Sequence, residues 1–248
     1  MFLDSIEVQI IFGVLITSII SGFLGMGGGM ILMVLYSTIL PVKLAMILHG
    51  ITQLSSNGFR AHLHRNEIKW SLVSQYVFAA LIVLAIFKLF KFIPDKSTIY
   101  ILLGSFPFIA FLPLLSAKFS INKLGRPFAC GAAVTIAQLL AGASGAILDI
   151  FFINSPLSRH QIIATKALTQ TIGHSVKLAY YFSLISSLSE LKELPVYIYF
   201  TVIGVAFIGA RIGKVILDNL SDINFRRISR GIILLTASTL LYKGFSLI

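Results

Sequence analysis

Acidic residues are scarce in this chain: 9 Asp and Glu stand against 20 Lys and Arg in 248 residues, and charged residues of both signs reach only 12%. With 57% apolar residues and a mean hydropathy of +0.94, so little charge excludes an ordinary water-soluble domain. Cysteine is nearly absent too. The lone Cys130 excludes an internal disulfide and any CxxC metal or redox site. No HExxH, GxSxG, Walker loop or paired-carboxylate arrangement occurs, so the sequence gives no support for an enzyme, a metal or a cofactor. The basic excess is not laid out for nucleic acid, because the charges sit singly between apolar spans rather than in blocks with interleaved aromatics. Residues 1–7 carry Asp4 and Glu7 with no Lys or Arg, and no small-residue cleavage site follows, so the first segment is not read as a secretory signal.

What the chain has in quantity is apolar sequence. Such stretches cover about residues 8–24, 30–40, 43–61, 71–90, 97–115, 127–141, 146–154, 161–182, 195–213 and 231–247. A helix needs about 20 apolar residues to cross a bilayer core of roughly 30 Å. At 1.5 Å per residue the stretches 30–40 and 146–154 reach at most ~16 Å, so neither crosses alone. Each follows a glycine knot. Gly22, Gly25, Gly27, Gly28 and Gly29 precede the first, and Gly142-Ala143-Ser144-Gly145 precedes the second. Each short stretch is therefore read as the returning arm of a re-entrant hairpin, which leaves six complete crossings. The expected fold is an all-α membrane protein, a single integral membrane domain over 1–248 with the lipid bilayer as its solvent.

Lys and Arg set the orientation, since cytoplasmic loops hold the excess. With the connection 62–70 placed inside, Arg60, Arg65, Lys69, Lys118, Lys123, Arg126, Arg159, Arg211, Lys214, Arg226, Arg227 and Arg230 fall inside. Lys43, Lys88, Lys91, Lys96, Lys192 and Lys243 fall outside, and Lys166 and Lys177 lie within a crossing. Both termini are then outside, and Trp70 marks the cytoplasmic interface. Each half holds one re-entrant broken-helix hairpin and three transmembrane helices, an odd number, so the halves enter from opposite sides. This is an inverted repeat, with repeat 1 at about 8–115 and repeat 2 at about 127–247. One offset of 117 aligns Gly25 with Gly142, Gly28 with Gly145, Thr52 with Thr169 and Gln53 with Gln170 as identities. At the same offset His49 meets Lys166, Asn57 meets His174 and Arg60 meets Lys177.

His49, Gln53, Asn57 and Arg60 step by four, four and three, which keeps them on one helix face. Lys166, Gln170, His174 and Lys177 repeat the stripe. A Lys at the bilayer centre costs about 2.5–3.5 kcal/mol on insertion scales, so these faces should look inward. Arg60, near the cytoplasmic end of its helix, could equally snorkel to the interface. The returning arms begin at the knots, and a helix N-terminus offers free N–H donors and roughly half a positive charge. Together these features describe a midplane site for a small anion. Gly25, Gly27, Gly28, Gly29, Gly142, Ser144 and Gly145 supply the tips, Lys166 a charge, and His49, Gln53, Asn57, Gln170, His174 and Lys177 the polar walls. Asp149 could pair with Lys166, Arg159 or His174, or accept a proton, which makes Asp149 and His174 the candidates for proton or ion coupling.

Residues 21–30, SGFLGMGGGM, followed by RAHLHRNEIKW at 60–70, resemble the sulfite exporter TauE/SafE family. The second half is similar to a variant of it at ATKALTQT, 164–171, with His174, Lys177 and Tyr180. The resemblance implies a permease of the bacterial plasma membrane for sulfite, a sulfonate or another sulfur-containing anion. The chain departs from the family pattern in its reduced second knot and in having no proline between Met30 and Leu40. Two readings follow: an anion carrier working by alternating access, or a membrane-embedded enzyme or assembly subunit that uses the buried histidines and Asp149. Direction of transport, coupling ion and oligomeric state are not legible in the sequence.

Overall fold

The computed structural model describes residues 5–24, 27–110, 120–152, 155–219 and 222–248, and among them the chain is helical with no strand. The ten α-helices among the described residues are α1 (Ile6–Leu24), α2 (Gly28–Ile39), α3 (Val42–Leu63), α4 (Trp70–Phe90), α5 (Lys96–Ala110), α6 (Arg126–Ala141), α7 (Gly145–Phe152), α8 (Arg159–Phe182), α9 (Val196–Asp218) and α10 (Asp222–Phe245). Each corresponds to one apolar stretch of the sequence. Gly25, Lys118, residues 111–115 and residues 153–154 lie outside the described residues, as do the side chains of Arg159, Arg226, Arg227 and Arg230.

Local chemistry explains the breaks. Gly27 precedes α2 at φ 85°, and Gly142 closes α6 at φ 78° with its N–H donating to the Gln138 carbonyl. Both backbones occupy the left-handed half of conformational space, which glycine enters without a Cβ penalty. Helix α8 opens on a capping box in which the Ser158 hydroxyl accepts from the Gln161 N–H and the Gln161 side chain accepts from the Ser158 N–H. Pro127 sits in the first turn of α6, where its missing N–H has no acceptor to lose.

Helices α3 and α8 pack along each other at the centre. They run antiparallel: His49 meets Lys177 and Arg60 meets Gln170, while the residues after α3 reach the start of α8 through Lys69 N–H donating to Thr165 Oγ1. Helix α9 lies on α3 and α4 on α8, α1 packs on α9, α6 on α4, and α5 pairs with α10. Exchanging the first five helices for the last five carries α3–α8 and α5–α10 into themselves, α1–α9 into α4–α6, and α3–α9 into α4–α8. In α1–α9 the backbones approach closely because small residues face each other: a Cβ on Gly22 would stand 2.8 Å from the Gly213 Cα, and one on Gly209 2.6 Å from the Ser18 Cβ.

Three helices are both long and apolar enough to cross a membrane among the described residues, within Ile6–Phe23, Trp70–Phe90 and Val196–Ile216. Helices α3 and α8 have the length, at 22 and 24 residues, but the polar stripes interrupt their apolar character. Those stripes are buried in protein, while Phe78, Leu89, Phe90, Phe200 and Leu235 are exposed on the outside. Polar residues inside and apolar residues outside is the arrangement a lipid solvent selects. Trp70, the first residue of α4, is exposed.

Candidate functional site

The two glycine breaks face one small cavity. Its walls include Gly27, Gly29 and Met30 from the start of α2, and Ser144, Gly145 and Ala146 from the start of α7. The first intrahelical bond of α2 runs from Ile31 N–H to the Gly27 carbonyl, and that of α7 from Leu148 N–H to the Ser144 carbonyl. The three N–H groups ahead of each therefore have no acceptor inside their helix. No side chain caps α2, and the Ser144 hydroxyl is turned to Gln138 Oε1 at 2.5 Å. Two positive helix ends thus open onto the same space.

The stripes complete the walls with Gln53, Asn57 and Arg60 from α3 and Gln170 and His174 from α8; Leu103 and Phe106 of α5 add an apolar side. Arg60 is buried and donates to the Ser21 carbonyl at 2.5 Å, Asn57 Oδ1 at 2.5 Å and Gln170 Oε1 at 2.9 Å. All three acceptors are neutral. Asn57 Nδ2 in turn donates to Gln53 Oε1 at 3.3 Å. Two donors on the wall, Arg60 Nε and Gln53 Nε2, are buried with no partner among the described residues. The cavity encloses about 30 Å³, room for roughly two waters.

A layer of hydrogen bonds closes one end. Lys177 Nζ donates to His49 Nδ1 at 2.7 Å and to the Gly142 carbonyl at 2.9 Å, and His49 Nε2 donates to the Gly29 carbonyl at 2.7 Å. These bonds fix the neutral His49 tautomer and tie both glycine breaks together. The His174 ring lies 5.4 Å from that of His49, and its Nδ1 accepts from Gln138 Nε2 at 2.6 Å. On the far side of this layer a second groove of about 260 Å³ is lined by Lys43, Leu44 and Ile47 of α3 together with Ile185, Glu190 and Glu193. Lys43 there pairs with Glu190 at 2.7 Å.

Of the residues the sequence singled out, Gly27, Gly29, Gln53, Asn57, Ser144, Gly145, Gln170 and His174 come together on the cavity wall. His49, Gly142 and Lys177 form the closing layer instead. Gly28 packs against α1, where a Cβ would overlap the Thr17 carbonyl and the Ser21 hydroxyl. Lys166 and Asp149 are absent from the wall and form a buried ion pair with each other. Sequence reasoning left Arg60 between a polar wall and a snorkelling role, and it missed Ser21 and Gln138. Arg60 belongs to the stripe by spacing alone; Ser21 and Gln138 lie one offset of 117 apart and carry no other signal.

The family model described as sulfite exporter TauE/SafE matches residues 10–240. No curated protein matches the chain, and no solved structure does.

Proposed function

Because the chain belongs to the sulfite exporter TauE/SafE family of membrane permeases for sulfur-containing anions, we propose that it carries a small sulfur oxyanion or sulfonate through the cavity between its two glycine breaks. One observation carries this reading. Two helix N-termini open onto one small cavity whose wall carries Arg60 and Gln53, each with a buried donor nitrogen, Nε and Nε2, that has no partner among the described residues, and among them the wall contains no carboxylate. Buried donors without acceptors are unfavourable, and an anion with several oxygens supplies the acceptors. The charge balance points the same way: among the described residues the buried cations Arg60 and Lys177 hydrogen-bond only neutral atoms, and the one buried acid, Asp149 of α7, is taken by Lys166.

Movement follows from the size of the space. Room for about two waters is too little for a sulfur oxyanion of four or five heavy atoms, so loading requires the walls to part. We read the exchange of helix pairs between the two halves, with α3 and α8 antiparallel at the centre, as an inverted repeat whose halves rock about the site. The Lys177–His49 layer closes the side toward the Lys43 groove, and opening it would expose the cavity there. The site residues are Gly27, Gly29, Gln53, Asn57, Arg60, Ser144, Gly145, Gln170 and His174.

Purified protein in liposomes is expected to exchange labelled sulfite, thiosulfate or a sulfonate across the bilayer. Arg60→Met and Gln53→Leu each remove hydrogen bonds to the anion. A charge-assisted bond is worth about 1.5–3 kcal/mol, so Arg60→Met should raise the half-saturating concentration by roughly 10- to 100-fold. Absence of exchange for every anion, or unchanged half-saturation in both variants, would overturn the reading. The enzyme reading rests on the buried histidines and Asp149; both ring nitrogens of His49 and Nδ1 of His174 are engaged by backbone or side-chain partners, and Asp149 is engaged by Lys166.

A further inference from the structure

Lys177 is a buried amine that holds the two glycine breaks together without a counter-charge. Its side chain is fully enclosed, and its bonds go to His49 Nδ1 and the Gly142 carbonyl. The titratable groups around it are His49 on α3, His174 and Tyr181 one turn to either side on α8, and Tyr36 of α2 behind the His49 ring. Tyr181 donates to the Leu139 carbonyl, and Tyr36 shares a hydrogen bond with Thr52. Tyr76 of α4 reaches Gly173, four residues earlier on α8. None of these supplies negative charge at neutral pH. The one buried carboxylate among the described residues, Asp149 of α7, is held by Lys166.

We propose that Lys177 carries the proton that travels with the anion, an inference that rests on the carrier reading of the adjoining cavity. An ammonium enclosed without a partner charge is strongly disfavoured, and an anion in the cavity is that partner. The two are one residue layer apart, because His174, Gly29 and Ala143 line the cavity while His49 and Gly142 contact Lys177. Loading of the anion therefore favours the charged amine, and loss of the anion favours the neutral one. In the balanced step Lys177 Nζ binds one proton from the side the anion enters and releases it on the side the anion leaves. No other bond changes. One proton thus accompanies one unit of anion charge, and a monoanion crosses without net charge movement.

The probe is a labelled alkanesulfonate, such as methanesulfonate, which stays ionised at working pH and brings no proton of its own. In proteoliposomes with the potential clamped at zero, sulfonate–sulfonate exchange reads the carrier, and accumulation against a one-unit pH gradient reads the coupling. One proton per monoanion gives about tenfold accumulation toward the alkaline side. A pH dye inside the vesicles should record one proton per sulfonate. Lys177→Arg keeps a donor to Gly142 and a permanent charge, so it should retain exchange and lose the pH-driven accumulation; Lys177→Met serves if the arginine does not fit. Wild-type exchange with no accumulation and no proton signal overturns the coupling and leaves the carrier standing. Absence of exchange itself overturns both. Gradient-driven accumulation undiminished in either variant also overturns the role of Lys177.

Discussion

Asp149→Asn tests the buried charge pair with almost no change of volume. Both side chains are largely enclosed, Lys166 at 7% and Asp149 at 12% exposure, and the second carboxylate oxygen, Oδ2, has no partner among the described residues. Attraction to Lys166, with a smaller share from Arg60, is thus what offsets the desolvation of the carboxylate. Removing one member of such a pair typically costs about 3–5 kcal/mol, because the other charge stays buried and uncompensated. Replacing both by apolar side chains is about neutral or even stabilising. Asp149→Asn and Lys166→Met should each lose about 3–5 kcal/mol, whereas Asp149→Leu combined with Lys166→Met should lose less than either. Equilibrium unfolding in detergent micelles measures the cycle, and sulfonate exchange in liposomes is measured on the same proteins. Single variants as stable as the wild type, or losses that simply add, would refute the pairing energetics. A double variant that is stable yet transports nothing would move Asp149 from a structural place to a direct one in transport.

Two further outcomes are expected. On α9, Gly213→Ala places a Cβ 2.6 Å from the Gly22 Cα, while Gly204→Ala meets nothing within 4 Å; unfolding should show a loss of about 1–3 kcal/mol for the first and within 0.5 kcal/mol of none for the second. Glu190 is held below the ordinary carboxylate range, first by the hydrogen bond from Lys43 and then by the Ser186 N–H. Its contribution is fully present above the ordinary glutamate value of about 4.3 and is lost as pH falls through its lower folded value. Protease sensitivity of the 183–195 segment should therefore rise in acid for the wild type, while Glu190→Gln is sensitive at neutral pH and shows no such acid step.

Helix positions were open to sequence reasoning because lipid imposes a length rule and glycine marks the breaks. The stretches 30–40 and 146–154 are too short to cross, and they appear as α2 and α7, each beginning at a glycine turn. The faces of α3 and α8 were legible too, since their polar residues recur at helical spacing. Depth was not. Spacing places Arg60 and Lys166 on stripes but says nothing of which opposing residue each meets, and that depends on how far α3 slides along α8. Lys166, offered by the sequence as the anion's charge, pairs with Asp149 of a different helix, one of the three partners the sequence allowed that acid. Arg60, one turn from the helix end, is instead enclosed by the Ser21 carbonyl and Gln170.

The antiparallel meeting of two similar stripes explains why an acid is needed at 149. Position 49 opposes 177 in the structure, so the offset of 117 makes 166 the counterpart of 49 and 60 the counterpart of 177. A chain obeying that correspondence at both ends would set Lys166 toward Arg60, two cations in an enclosed space, where the first pair is histidine and lysine. Repulsion between unit charges ~6 Å apart is about 3 kcal/mol even at an effective dielectric of 20. The first half has Leu32 where the second has Asp149. The acid engages Lys166, which relieves the repulsion and leaves Arg60, bonded only to neutral oxygens, as the one guanidinium on the cavity wall. The two ends of the polar core are thereby differentiated: Asp149 balances Lys166 at one, and the charge on Lys177 at the other has no fixed balance except what the cavity admits.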